Sequence, residues 1–206
     1  MKVFLFLLCV ACVSIVQGQI QHDSKDKSFR MFDAGAAICF NASQVDGDNL
    51  AGFNKFGWNA GAVAHVNFDH HWSVSFELLY SQKGSRTFPS PDAINTYKLV
   101  LNYAEVPLLV NFNDKSRMLF QAGFAYGRLF SFKEIENGLE LQNNADAFSK
   151  DEFSYIIGAT VLVGEAKHFG VNLRFQGSIT TIGKSANPQV SGLTNRLISL
   201  RGMYYF

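Results

Sequence analysis

The segment Gly57–Gly84, GWNAGAVAHVNFDHHWSVSFELLYSQKG, contains two stretches in which apolar and polar or small side chains alternate residue by residue. Three polar residues, Asp69-His70-His71, separate the two stretches. The apolar parity carries Trp58, Ala60, Ala62, Ala64, Val66 and Phe68, then Trp72, Val74, Phe76, Leu78 and Tyr80. Alternation on both sides of a short link predicts an antiparallel β-hairpin with one apolar and one polar face.

The same alternation recurs along the chain and predicts an all-β protein with eight strands of about ten to sixteen residues each. Soluble strands are usually about five or six residues long, whereas a tilted strand needs about nine to eleven residues to cross a bilayer. The segments are Phe29–Phe40, Phe56–Phe68, Trp72–Gly84, Tyr97–Phe112, Met118–Phe132, Glu152–Val163, Phe169–Ile179 and Arg196–Phe206.

The links between these segments alternate in length. Short links occupy residues 69–71, 113–117 and 164–168, and long ones occupy 41–55, 85–96, 133–151 and 180–195. This alternation places all short turns at one rim and all long loops at the other, as in an antiparallel barrel of the outer membrane. We therefore expect an eight-stranded antiparallel transmembrane β-barrel.

A soluble barrel remains an alternative, because a lipocalin-like exported carrier of an apolar ligand would show the same period with its apolar face inward. The placement of aromatic residues favours the membrane barrel, whose interfaces attract two aromatic girdles. One girdle would hold Phe68, Trp72, Phe112, Phe120, Phe169, Tyr204 and Phe206, and the other Trp58, Tyr80, Tyr97, Tyr126, Phe130 and Tyr155.

The N-terminus has the pattern of a secretory signal peptide. Lys2 precedes the uncharged run Val3–Val16, which is too short to span a bilayer as a helix, and small residues follow it. We expect cleavage before Gln19; a lipoprotein signal with Cys12 as the lipidated residue is the alternative. The predicted organisation is a signal peptide at 1–18, a short periplasmic lead-in at 19–28 and a barrel domain at 29–206.

Composition excludes several classes of function. The chain has 18 basic and 17 acidic side chains, so it lacks the basic excess that nucleic-acid binding requires. Of its three cysteines only Cys39 follows the predicted signal peptide, so the exported chain forms no internal disulfide.

Three stretches resemble the PorT-like outer-membrane β-barrel family of Gram-negative bacteria. They are the hairpin Gly57–Gly84 with its ELLYSQKG end, the segment Asn102–Phe112 (NYAEVPLLVNF), and the terminal SLRGMYYF. The resemblance implies an eight-stranded barrel in the outer membrane and no single biochemical activity. It also implies that the terminal aromatic residue, Phe206, is read by the outer-membrane assembly machinery.

Four charged residues share the parity of the polar faces and stand at similar heights above the short turns: Glu77, Glu105, Arg174 and Arg201. An eight-stranded barrel is just wide enough for side chains to meet across it. Because unpaired charges there are costly, we expect one structural ion network that fills the lumen.

The polar faces of the second and third predicted strands also allow a second hypothesis, that the protein is an enzyme. His65 would lie opposite Ser75 with Glu77 one step along, the residue types of a base, a nucleophile and an orienting acid for a lipid-modifying hydrolase. The chain lacks a GxSxG elbow, and a buried site gives an acyl chain little access.

No cofactor or metal site is expected. The adjacent His70 and His71 point to opposite sides in an extended chain, and the calcium-loop-like Asp46–Asn49 lacks the required ligand spacing. The sequence thus predicts a non-enzymatic outer-membrane barrel with a plugged lumen rather than an open porin. Its expected partners are the lipid bilayer and the assembly machinery; it names no protein that its loops or periplasmic rim would bind.

Overall fold

The computed structural model describes residues 30–48, 50, 52–88, 96–114, 117–141, 148–164, 168–183 and 192–206. The predicted signal peptide and lead-in lie outside these residues. Within them the chain forms nine β-strands: β1 (Phe32–Asp46), β2 (Lys55–Asn67), β3 (Trp72–Arg86), β4 (Tyr97–Asn113), β5 (Met118–Glu136), β6 (Leu139–Glu140), β7 (Asp151–Val163), β8 (Phe169–Ser178) and β9 (Thr194–Tyr205).

Eight of the strands form a closed antiparallel ring. Neighbours in the chain pair with one another, β5 pairs with β7, and β1 pairs with β9 to complete the circle. The two-residue strand β6 pairs only with the end of β5 and lies outside the ring. The prediction of an eight-stranded antiparallel barrel is confirmed. Among the described residues, no helix is long and apolar enough to cross a membrane.

We call the end of the barrel with links 68–71, 114–117 and 164–168 the short-turn rim, and the opposite end the long-loop rim. Both ends of the described chain lie at the short-turn rim, where the Arg30 guanidinium donates to the Phe206 carbonyl oxygen (3.0 Å). The Phe206 N–H also donates to the Ala34 carbonyl oxygen (2.9 Å), which ties the last residue to β1.

The sequence predicts that the first strand ends at Phe40 and that residues 41–55 form a loop, whereas β1 continues through residues 41–46. Asn41 and Ser43 are in fact buried and face the lumen. In a barrel with a polar interior, polar residues therefore do not mark the end of a strand.

A β-bulge changes the parity of β5 near the long-loop rim. Asn102 pairs with Ser131 and Tyr103 with Leu129, so Phe130 is an extra residue. Beyond it Phe132 turns inward and packs edge-on against Phe148 (5.2 Å between ring centroids). A bulge of this kind re-aims the side chains that follow it.

Apolar side chains cover the outside of the barrel and polar ones line the inside. Trp58, Phe76 and Leu173 are 50%, 55% and 59% exposed, whereas their neighbours on the opposite parity are buried. Both predicted girdles lie on the outer surface, with one exception: Tyr97 turns inward and packs against the buried apolar cluster of the long-loop rim. Tyr97 shares the parity of Leu99, which faces the lumen.

The lumen is filled in layers. Its middle holds buried charged and amide side chains. A small buried apolar group, Ala37, Val63 and Met203 with Tyr205 packed against it, lies beside the charged side chains, where Val63 is the register partner of Glu77. A larger apolar cluster lies nearer the long-loop rim: Val45, Leu99, Leu101, Tyr103, Leu129, Phe148, Ile182 and Leu193.

Candidate functional site: the charged lumen

The first charged cluster is centred on the Glu77 carboxylate of β3. Arg174 of β8 donates to it from both terminal nitrogens, at 2.8 Å to Oε1 and 2.9 Å to Oε2. Arg201 of β9 donates to the same two oxygens at 3.4 and 3.0 Å. All three side chains are buried. One carboxylate therefore cross-links β3 to two strands of the opposite wall.

The second charged cluster lies nearer the long-loop rim and is centred on the Lys83 ammonium. Its Nζ lies 2.7 Å from Glu105 Oε1 and 2.8 Å from Glu152 Oε1. Gln176 Nε2 donates to Glu105 Oε1 at 2.8 Å, and Asn195 Nδ2 donates to Glu152 Oε2 at 2.9 Å. Lys83 and both acids are buried, so this cluster joins β3, β4 and β7 across the lumen.

The four residues predicted to form one network are thus divided between two clusters. The structure brings Glu77, Arg174 and Arg201 together and places Glu105 with Lys83 instead. Glu105 is paired in register with Leu79, two residues beyond Glu77 toward the long-loop rim. Sequence reasoning missed Lys83 and Glu152, although both lie on the lumen parity of their strands.

The two clusters carry opposite excess charges. The Glu77 cluster has two guanidinium groups and one carboxylate, whereas the Lys83 cluster has one ammonium and two carboxylates. The formal charges of the two clusters, +1 and −1, cancel. Such buried groups are tolerated only when nearly every polar atom has a partner, and removal of one member leaves an unpaired charge.

A family model described as an outer membrane protein beta-barrel domain matches residues 17–183. The chain belongs to this family. It is accordingly an integral barrel of the Gram-negative outer membrane, and the alternative of a soluble lipocalin-like carrier is wrong, because the apolar faces of this barrel point outward. No curated protein matches the chain.

The chain is also similar, at low sequence identity, to several solved outer-membrane barrels. Ail, the attachment invasion locus protein of Yersinia pestis, is 16% identical over 86% of this chain and 100% of that one, with a TM-score of 0.50. Neisserial surface protein A is 12% identical over 86% of this chain and 98% of that one (TM-score 0.48). CarO of Acinetobacter baumannii is 10% identical over 88% and 100% (TM-score 0.47).

The three residues of the hydrolase reading do not form a catalytic arrangement. His65 pairs in register with Ser75, as predicted. Ser75 Oγ, however, donates to Asn111 Oδ1 (3.4 Å), and the His65 ring packs edge-on against Tyr205 (5.3 Å). Both Glu77 oxygens are occupied by arginines. Among the described residues, Ser75 therefore has no base as a hydrogen-bond partner.

The described residues contain no group of three or more His, Cys, Asp or Glu side chains that could hold a metal ion. The His71 ring stacks on Phe112 at the short-turn rim (6.2 Å between centroids). At the long-loop rim, Asp48 Oδ1 accepts a hydrogen bond from the Leu50 N–H (3.0 Å), and burial raises the pKa of the Asp48 carboxyl.

Proposed function

We propose that the protein is a non-enzymatic, closed barrel whose exposed rims, rather than its lumen, carry its function. The supporting observation is the filled lumen, which holds two buried charged clusters and buried apolar clusters beside them. In this proposal the short-turn rim faces the periplasm and the long-loop rim faces the outside, the usual orientation of such barrels. Residues 1–18 act as the export signal.

The rims then provide a surface for binding, adhesion or envelope organisation. Attachment is the property in the name of Ail, and we carry it to this chain only as part of the proposal. Phe206, held to β1 through its backbone, serves as the assembly signal.

Planar-bilayer recording tests whether the lumen is closed. The purified full chain is expected to give no large, stable, ohmic channels, because an eight-stranded barrel filled by side chains leaves no general diffusion path. A general porin reconstituted in the same bilayers provides the positive control. Stable ohmic conductance from the wild-type barrel would contradict the closed lumen and place the function in solute passage.

A further inference from the structure

The outer surface of β2, β3 and β4 changes character toward the long-loop rim. Lowest lies an aromatic group in which Trp58 contacts Tyr80 (4.5 Å between centroids) and Tyr80 contacts Phe130 (5.9 Å). Above it lie two amides: Asn102 Oδ1 accepts from the Tyr80 hydroxyl (2.8 Å) and from Gln82 Nε2 (3.3 Å). This order, aromatic then amide, is that of a membrane interface.

Three cations, Lys55, Arg86 and Lys98, stand at and above the amides; we call them the rim cations. Arg86 and Lys98 are partners in register on β3 and β4 and lie on the outward parity. Lys55 is buried at the start of β2, and its ammonium donates to the Phe56 carbonyl oxygen (2.7 Å) and to Gln82 Oε1 (3.3 Å).

The rim cations lack acidic partners in the described part of the chain, where no carboxylate forms an ion pair with any of them. Other cations of this region are paired: Arg128 with Asp151, Lys133 with Glu140, and Arg196 with Asp46. Arg86 and Lys98 are register partners with no carboxylate in an ion pair with either of them in the described ranges, so their charges repel one another and an anion bound between them would be stabilised.

The height of the rim cations matches the lipid headgroups. Ten residues separate Trp72, at the short-turn girdle, from Gln82. At ~3.3 Å per residue and a tilt near 40°, this distance is about 25 Å along the membrane normal, the height of the apolar band of such barrels. The Lys55 ammonium contacts Gln82 at this upper boundary, and Arg86 begins about 10 Å above it, within reach of the headgroup layer.

We propose that Arg86 and Lys98 bind the phosphate group of a lipid in the leaflet around the long-loop rim. Arg86 can donate two parallel hydrogen bonds to phosphate oxygens and Lys98 supplies a point charge, while the buried Lys55 adds positive charge beneath the site without contacting the lipid. The acyl chains of the same lipid would lie along the aromatic group below, against Trp58, Tyr80 and Phe130. A phosphate monoester suits the Arg86–Lys98 pair better than a zwitterionic headgroup, whose own cation would be repelled.

Native mass spectrometry of the full chain in detergent micelles tests this proposal, with dioleoyl phosphatidic acid as the probe and dioleoylglycerol as its phosphate-free match. An interfacial Lys or Arg contributes about 1 kcal/mol to binding of an anionic lipid, which corresponds to about fivefold in affinity. Arg86→Gln and Lys98→Gln should each weaken phosphatidic acid binding about fivefold, and the double variant about 25-fold.

Arg196→Gln is the matched control, because it removes one outward charge from the same rim but a charge that is paired with Asp46. It should change binding less than twofold. Equal weakening by Arg196→Gln, or equal binding of dioleoylglycerol, would overturn the proposal. Displacement of the lipid by an equal concentration of inorganic phosphate would show a site for the free anion and overturn the assignment to a lipid.

Variants that keep both charges distinguish a loss of lipid binding from a loss of folding. Arg86→Lys combined with Lys98→Arg keeps both charges and should bind phosphatidic acid within about threefold of wild type. If the double glutamine variant does not fold, the single variants and the salt dependence of wild-type binding replace it. Binding that does not weaken with salt would then contradict a site made of surface charges.

Discussion

The Glu77 carboxylate accepts hydrogen bonds from Arg174 and Arg201 at once, so the three charges form a single unit that crosses the lumen. The acid is the shared member of this unit. Its removal leaves two buried guanidinium groups without a counter-charge, whereas removal of one arginine leaves a neutral pair. The three residues therefore contribute unequally to stability.

Glu77→Gln should destabilise the barrel more than Arg174→Met. We expect about 3 to 5 kcal/mol for Glu77→Gln, the usual cost of leaving a buried charge unpaired, and a smaller loss for Arg174→Met because Arg201 still neutralises Glu77. Urea unfolding in lipid vesicles measures both. Leu173→Met, on the lipid side of the same strand, should cost less than about 1.5 kcal/mol. The opposite order of the first two variants would contradict the shared carboxylate.

The division of the lumen charges into two clusters predicts a pattern of coupling. Glu105→Gln and Lys83→Met should be strongly non-additive in the free energy of unfolding, because the two side chains are in contact (2.7 Å). Glu105→Gln and Arg174→Met should add within about 0.5 kcal/mol, because they belong to separate clusters. Strong coupling of Glu105 to Arg174 would instead favour the single network predicted from sequence.

Alternation along each strand predicts the lumen position of four charges, but it does not show which of the charges meet. Glu77, Glu105, Arg174 and Arg201 all occupy the predicted parity. Their partners depend on the relative heights of strands, which the shear of the barrel sets and a count from the turns does not resolve. Lys83 stands one residue before the end of the predicted segment Trp72–Gly84, where a charged residue resembles the start of a loop.

The same reasoning explains the error in β1. Residues 41–46 are polar enough to resemble a loop, and only the polarity of the lumen makes them compatible with a strand. The sequence does not predict that the side chains of β5 exchange faces at Phe130. A bulge is defined by the pairing of two strands rather than by the residues of one.

Gly84, the last residue of the ELLYSQKG stretch, should not tolerate a side chain. Its φ is +133°, and a Cβ would lie 2.1 Å from the Leu99 carbonyl oxygen on β4. Gly84→Ala should destabilise the barrel by about 1 to 3 kcal/mol or more in urea unfolding. Gly138 has a φ of +82° with no atom within 4 Å of its added Cβ, so Gly138→Ala separates backbone strain from the clash and should cost less. Equal costs would contradict the close approach.

Deletion of Phe206 should reduce the fraction of chains that assemble in the outer membrane, because the terminal aromatic residue is the proposed assembly signal. Heat-modifiable mobility on gels of membrane fractions measures the folded fraction. Phe68→Ala removes another exposed aromatic residue from the short-turn rim and should leave assembly nearly unchanged. Equal loss in the two variants would show a general need for rim aromatics rather than a terminal signal.

The coupling free energy between Glu77 and Arg174 tests most directly whether ion pairs across the lumen hold its opposite walls together. The cycle compares wild type, Glu77→Gln, Arg174→Met and the double variant by urea unfolding in vesicles. We predict that the double variant loses at least about 1 kcal/mol less than the sum of the single losses, since Arg174→Met relieves the repulsion that Glu77→Gln creates. Additivity within about 0.5 kcal/mol would contradict the account, because the two side chains would then not interact across the lumen.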